Sequence, residues 1–249
     1  MVLGAQALET YRRTNIMNPP LWKEFAAVSL FLVAATWIIA ASGADIAISS
    51  MFHINGSWPV GEKFPWKNLY RLDRIPAMSL ASVGLLLCFS SLLRKKKECA
   101  RAGIYLVLLL ALGPGLLVNA LFKEHWGRPR PRETAFFGGE KKFLQPWQTG
   151  TGKGRSFPSG HSSAAFYMAA PFFIYRRTRK RLALTWLAGG TTFGVLMSVA
   201  RIAQGGHFLS DTLWGWGMVY LSAILLAAIL KPECNSTPQT EPCLATSTG

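Results

Sequence analysis

The sequence predicts an all-α, polytopic membrane protein with six transmembrane helices, and three observations carry that expectation. Half of the 249 residues are hydrophobic and 12% are aromatic, whereas only 16% are charged, a balance that a soluble domain of this length has too little interior to accommodate. The apolar residues gather into six runs, at 25–41, 76–93, 103–122, 161–175, 182–200 and 212–230, most of them close to the ~20 residues that cross a hydrocarbon core about 30 Å thick. The two tightest loops are strongly basic, Arg94-Lys95-Lys96-Lys97 with Arg101, and Arg176-Arg177-Thr178-Arg179-Lys180-Arg181. Short loops of that kind stay on the cytoplasmic side of a membrane.

The first run begins after an N-terminal segment of about two dozen residues and lacks a small-residue cleavage pattern, so a retained span is expected rather than a signal peptide. The second and third form a hairpin around the basic 94–101 loop. Within the third, Gly113-Pro114-Gly115 should bend or loosen the helix, because proline lacks the N–H of a regular turn and crowds the preceding carbonyl. The fourth run is short, and Ser159 and Gly160 ahead of it add a turn. The fifth holds Gly190 and Gly194, a small-residue pattern that brings helices close within one bundle or between chains; it leaves the oligomeric state open. Residues 232–249 are polar and rich in Pro and Thr, and are expected to form a disordered cytoplasmic tail after a single membrane unit over 1–231. No internal repeat or soluble second domain is visible.

Six crossings put both termini and the two basic loops on one side, the cytoplasmic one, and the long 123–160 loop on the other. The formal net charge of +15 would suit nucleic acid, but the cations sit in loops flanking spans, so a membrane partner is expected and no nucleic acid. Cys88 falls within a span, Cys99 in a basic loop, and Cys234 and Cys243 in the tail, a distribution with no disulfide framework and no zinc spacing.

Three short stretches carry the chemistry: KEHWGRPRP at 123–131, PSGH at 158–161 and RIAQGGHFLSD at 201–211. Lys123, Arg130 and Arg201 together could surround the oxygens of a phosphoryl group, the guanidinium as a planar fork of donors and the ammonium as a point charge. Ser159 is suited to cap the following helix, Gly160 lets backbone approach an anion closely, and a helix N-terminus favours negative charge. His161 would stand at the mouth of that pocket. His207 and Asp211 are four residues apart and share a helix face; an aspartate that accepts from one ring nitrogen fixes the tautomer and leaves the other free as nucleophile or base. Trp126, Phe136, Phe137, Phe143, Trp147 and Phe157 punctuate the cations of the long loop, a mixture suited to a membrane interface. No carboxylate cluster has divalent-metal spacing, so no metal or other cofactor is expected.

In order and spacing, these stretches resemble the type 2 phosphatidic acid phosphatase (PAP2) superfamily, whose signature is Lys, six residues, Arg-Pro; then Pro-Ser-Gly-His; then Ser-Arg, five residues, His, three residues, Asp. Lys123 with Arg130-Pro131, the full Pro158-Ser159-Gly160-His161, and Arg201 with His207 and Asp211 match it. Arg128-Pro129 is a second Arg-Pro pair without the family spacing, and Ala200 replaces the usual serine. The resemblance implies a PAP2-type bundle with its active site at the non-cytoplasmic face, periplasmic in a bacterial inner membrane. It implies a metal-independent hydrolase that removes a phosphate monoester from a lipid head group through a phosphohistidine. His207, oriented by Asp211, would be the nucleophile, and His161 the acid; Lys123, Arg130, Ser159, Gly160 and Arg201 would hold the phosphate. The 123–131 stretch and Phe137-Gly138-Gly139 look most like the lipid A phosphatase branch. Arg128, Arg132, Lys141, Lys142, Lys153 and Arg155 add cations for a multiply anionic glycolipid. Undecaprenyl pyrophosphate and phosphatidylglycerophosphate are the alternative substrates, and a phospholipid-binding or transport protein is the non-enzymatic alternative.

Overall fold

The computed structural model describes residues 20–72, 74–94, 97–151 and 154–233. The chain forms helices α1 (Leu21–Ala41), α2 (Ala44–Ser50), α3 (Trp66–Arg71), α4 (Arg74–Arg94) and α5 (Lys97–Leu110). The last continues through a π-helical stretch, Ala111–Phe122, into the single turn α6 (Lys123–His125). After the long loop come α7 (Gly160–Phe166), a 3-10 turn (Tyr167–Ala169), α8 (Pro171–Tyr175), α9 (Lys180–Ala203) and α10 (Leu209–Leu230). Lys95, Lys96, Lys153 and the 234–249 tail, with Cys234 and Cys243, lie outside the described residues.

Among the described residues, five helical stretches are long and apolar enough to cross a membrane: Leu21–Ala41, Trp66–Leu93, Cys99–His125, Lys180–Ala203 and Leu209–Leu230. Their outward faces carry Leu30, Ile38, Leu86, Leu92 and Ile229, each more than 60% exposed. Apolar area of that extent is unfavourable against water and neutral against lipid, where intrahelical bonds already satisfy the backbone. The chain is a multi-pass membrane protein.

The fourth apolar run is not one helix. α7, the 3-10 turn and α8 carry the chain from Ser159, whose N–H donates to the Asp211 carbonyl at 2.9 Å, to Arg176, whose Nη2 donates to Glu24 Oε2 at 2.9 Å. This broken passage is largely buried, with Phe166, Tyr167 and Phe173 in the core, so neighbouring helices surround its irregular turns. The fifth-run glycines are what let it fit. A Cβ on Gly190 would lie 2.3 Å from the Ala169 nitrogen, and one on Gly194 would lie 2.1 Å from Phe166 Cδ1. The small-residue pair is therefore consumed inside the bundle.

Two polar clusters mark opposite ends of the bundle. At one end Glu24, near the start of α1, binds Arg176 and accepts from the Tyr220 hydroxyl at 2.8 Å, and Arg177 pairs with Glu233 just beyond α10 at 3.1 Å. At the other end Asp45, just past α1, meets Arg128 of the long loop and Ser210 at the start of α10. The start of α1, the 176–181 loop and the end of α10 thus share one face, and the functional stretches share the other. Arg176 is a buried structural cation rather than a solvated loop charge.

The Gly113-Pro114-Gly115 expectation takes a specific form. The turn widens into the π-helical stretch, where Asn119 Nδ2 donates to the Pro114 carbonyl at 2.7 Å. Wider turns of this kind relieve the crowding that proline imposes and recur at functional sites. Here the widened helix delivers Asn119 and Lys123 to the start of α7.

Candidate active site

Ser159 adopts extended backbone and caps α7, its Oγ accepting from the Ser162 N–H at 3.4 Å and lying 2.9 Å from Ser162 Oγ. Gly160 then faces the end of the third span. A Cβ there would stand 2.5 Å from Asn119 Oδ1 and 3.1 Å from Lys123 Nζ, and Lys123 Nζ donates to Asn119 Oδ1 at 3.3 Å. Gly160→Ala is expected to displace this amide and ammonium and to lower kcat/KM of the reaction the site carries out by about 10- to 100-fold. Its thermal unfolding midpoint in detergent should stay near wild type, since the displaced atoms are side-chain ends.

Arg201, near the end of α9, is buried, with Nη1 donating to Gln204 Oε1. The following Gly205-Gly206 makes room for it: Gly205 has φ +58, a left-handed conformation that favours glycine, and a Cβ on Gly206 would lie 2.3 Å from Arg201 Nη2. Arg130 is half-buried. Loss of water, with Arg132 beside it, pulls its guanidinium below the usual value, while Glu133 and Tyr70 act in the opposite sense. Arg130, Arg155 and Arg201 are the cations that act on Lys123, and Arg201, His207, Lys123 and Arg74 are the groups that act on His161. The predicted residues of all three stretches therefore converge on one site, and Arg74 joins them from the start of α4.

His207 departs from the expected arrangement. Its Nδ1 lies 2.6 Å from the Ser156 carbonyl and 3.7 Å from Asp211 Oδ2. The first is a hydrogen bond and the second is beyond one, so Asp211 acts on the ring through charge and Ser156 fixes it. A carbonyl only accepts; Nδ1 therefore carries the hydrogen, and the lone pair is on Nε2. That Nε2 is buried and has no hydrogen-bond partner among the described residues. Burial is the largest influence on the ring and, with Arg201 and Lys123, pushes its pKa down to about 4 against the opposing pull of Asp211, so the imidazole is neutral at pH 7.

Asp211 is held by three donors. Its Oδ2 accepts from Ser156 Oγ at 2.6 Å and the Phe208 N–H at 2.7 Å, and its Oδ1 from Arg128 Nη1 at 2.5 Å. Arg128 is fully buried, against the rings of Phe143 and Phe208, and also donates to Ser210 Oγ, Asp45 Oδ2 and the Leu144 carbonyl. This corrects the sequence reading, which grouped Arg128 with cations available to a glycolipid. Of the others, Lys141 pairs with Glu133 and Arg155 with Glu124, and Arg132 and Lys142 are exposed. Ala200 is buried at the base of the site.

The loop aromatics divide. Phe137 and Phe157 are buried; Phe136 and Trp147 are exposed, and Trp147 stacks on Trp37 of α1 with ring centroids 5.0 Å apart. Sequence reasoning missed Ser156, Asp45, Ser210, Asn119 and Tyr70. Asp45 alone carried a legible signal, an acid within a turn of a membrane span.

A cavity of about 220 Å³ opens beside Lys123, Gly160 and His161. Arg74 and Asn119 add polarity at its wall, and Ala77, Met78, Leu110, Pro114 and Ala164 make the remainder apolar.

Comparisons with known proteins bear on this geometry. The chain is 36% identical over 137 residues to the lipid A 4'-phosphatase of Francisella tularensis subsp. novicida (strain U112), covering 54% of this chain and 61% of that protein. It is 36% identical over 126 residues to the lipid A 4'-phosphatase of Rhizobium leguminosarum, covering 49% of this chain and 50% of that protein. The chain thus spans about half the length of these curated relatives. Its fold is similar to the crystal structure of the transmembrane PAP2-type phosphatidylglycerolphosphate phosphatase from Bacillus subtilis, with a TM-score of 0.55 and 21% identity over 86% of this chain and 98% of that one. Residues 103–233 match the PAP2 superfamily, and this segment holds the lysine, all three arginine and histidine stretches and the broken α7–α8 passage, so the chain belongs to the PAP2 superfamily.

Proposed function

We propose that the protein is a membrane lipid phosphatase that hydrolyses a phosphate monoester through a phosphohistidine on His207. The observation that carries this reading is the His207 ring, neutral, fixed through Nδ1 and presenting an unpartnered Nε2 beside buried cations. Nε2 attacks phosphorus while the bond to the leaving oxygen breaks; His161, which burial and the cations Arg201, Lys123 and Arg74 hold neutral by itself, takes up a proton when the phosphate dianion balances those cations and gives it to that oxygen. The imidazolium that forms keeps its Nδ1–H on the Ser156 carbonyl, with the Asp211 charge nearby. Water then attacks phosphorus, returning a proton to His161 and releasing phosphate and neutral His207. Lys123, Arg130 and Arg201 stabilise the charge on the phosphoryl oxygens, with Ser159 and the Gly160 N–H at the helix start. In this reading the charge is neutralised by side-chain cations, so the reaction needs no metal.

Lipid is favoured as substrate because the cavity at His161 combines Arg74, Asn119 and Lys123 with an apolar lining from Ala77, Met78, Leu110, Pro114 and Ala164. A head-group phosphate meets the cations while attached chains lie along the apolar wall. Six crossings, with the broken α7–α8 passage as the fourth, put the site on the face opposite the basic 176–181 loop, hence periplasmic in a bacterial inner membrane, with cytoplasmic termini. Residues 1–231 then form one membrane unit and 232–249 a tail. Lipid A leads among substrates because two relatives carry that activity in their names. Phosphatidylglycerophosphate is the second reading, on the fold shared with the Bacillus subtilis enzyme.

Purified protein in detergent, assayed for phosphate release with excess chelator on lipid A, undecaprenyl pyrophosphate and phosphatidylglycerophosphate, tests this. Turnover that is fastest on lipid A and unchanged by chelator is the expected result. Preference for the polyprenyl substrate would overturn the ordering, loss with chelator the metal-free mechanism, and no release from any lipid the enzymatic reading.

A further inference from the structure

Tyr70 stands in the site on α3, a short helix outside the 103–233 segment that matches the family. Its ring stacks on His161, with centroids 4.9 Å apart and planes 27° from parallel. The Arg201 guanidinium lies 4.7 Å from the centroid of the same ring. Tyr70 is 41% exposed, so it forms a wall of the site at the open side rather than part of the core. One aromatic face thus meets both the proposed leaving-group acid and one of the phosphate cations, from an element that contributes nothing to the signature.

An imidazole that must deliver a proton to one oxygen has to be held in plane as well as in place, since misplacement by about 1 Å costs a proton transfer up to about 100-fold. A stacked ring restricts tilt of the imidazole without covering the ring edge, where both nitrogens lie. Arg201 is also held by Gln204 Oε1, and the Tyr70 ring lies against both side chains. We propose that Tyr70 is a positioning residue that aligns His161 for proton transfer to the leaving oxygen and, later, from the attacking water. This inference rests on the reading of His161 as acid and base.

The chemistry separates an alignment role from a merely structural one. A lipid alkoxide needs a proton as it leaves, with formation of the His207 Nε2–P bond and cleavage of the P–O bond. p-Nitrophenolate departs from p-nitrophenyl phosphate without one. Tyr70→Leu should slow single-turnover cleavage of a lipid phosphate by about 10- to 100-fold. The pre-steady-state burst of p-nitrophenol should stay within about threefold of wild type, with phosphoenzyme accumulating because its hydrolysis still needs His161. Tyr70→Phe, which keeps the ring, should behave as wild type on both substrates, and His161→Ala should show the same split more strongly. Equal loss on both substrates in Tyr70→Leu, wild-type behaviour of that variant, or a Tyr70→Phe protein as slow as Tyr70→Leu would each overturn the inference. If His161→Ala shows no split, the acid assignment itself is wrong; if it shows the split and Tyr70→Leu does not, only the role of Tyr70 fails.

Discussion

His207→Ala protein that remains folded in detergent is expected to release phosphate from lipid at the background rate and to form no phosphoenzyme, a loss of more than about 1,000-fold. The expectation follows from the orientation of the ring. With Nδ1 bonded to a main-chain carbonyl, only Nε2 of this ring can attack. Ser156→Ala provides the contrast. It keeps the carbonyl that fixes the tautomer and removes only the hydroxyl that donates to Asp211, so it should retain phosphoenzyme formation and lose far less rate. Rapid quench with labelled substrate measures both. A His207→Ala protein that turns over normally would sink the nucleophile assignment, and a Ser156→Ala protein as inert as His207→Ala would show that the hydroxyl, not the carbonyl, governs the ring.

The second large effect belongs to Arg128. Its guanidinium neutralises Asp45 and Asp211 in a region closed to water, and removing one partner of a buried ion pair leaves the other charge uncompensated, at about 3–5 kcal/mol. Arg128→Leu, with two carboxylates stranded, is expected to lose stability on that scale and activity with it, read as a lowered unfolding midpoint and a low yield of monodisperse protein. Arg130→Leu removes the same charge two residues later from a half-buried position. It should keep the midpoint and lose kcat/KM, because its task is to meet substrate. Equal stability of the two variants would refute the division of labour between the two Arg-Pro pairs.

The spans were legible because lipid imposes a length requirement that sequence cannot disguise. Among the described residues, five of the six runs reappear as helical stretches long and apolar enough to cross a membrane, extended at their ends to take in Lys123, Arg201 and Asp211. The break in the fourth passage had a single local signal, Pro171 in AAFYMAAPFF, which starts α8 and lacks the N–H that a continuing helix needs; that the interruption is buried among neighbouring helices was not legible. α3 was missed for the opposite reason: six residues carry too little periodicity to be separated from the loop around them.

The sequence by itself determined which side chains the chemistry has available: three cations, two histidines and an aspartate at spacings that bring them to one end of the helices that carry them. The tertiary structure decided how they are used. Arg128 and Arg130 each stand in an Arg-Pro pair and differ in sequence only by their spacing from Lys123, and the approach of Asp45 and Asp211 makes Arg128 a buried structural counter-ion. The tautomer of His207 rests on the Ser156 main-chain carbonyl, a group every residue possesses. Tyr70 reaches His161 and Arg201 across long separations in the chain. Contacts made by backbone atoms and by burial between distant segments leave no local pattern of residue types, and that is the physical reason they appear only once the chain is folded.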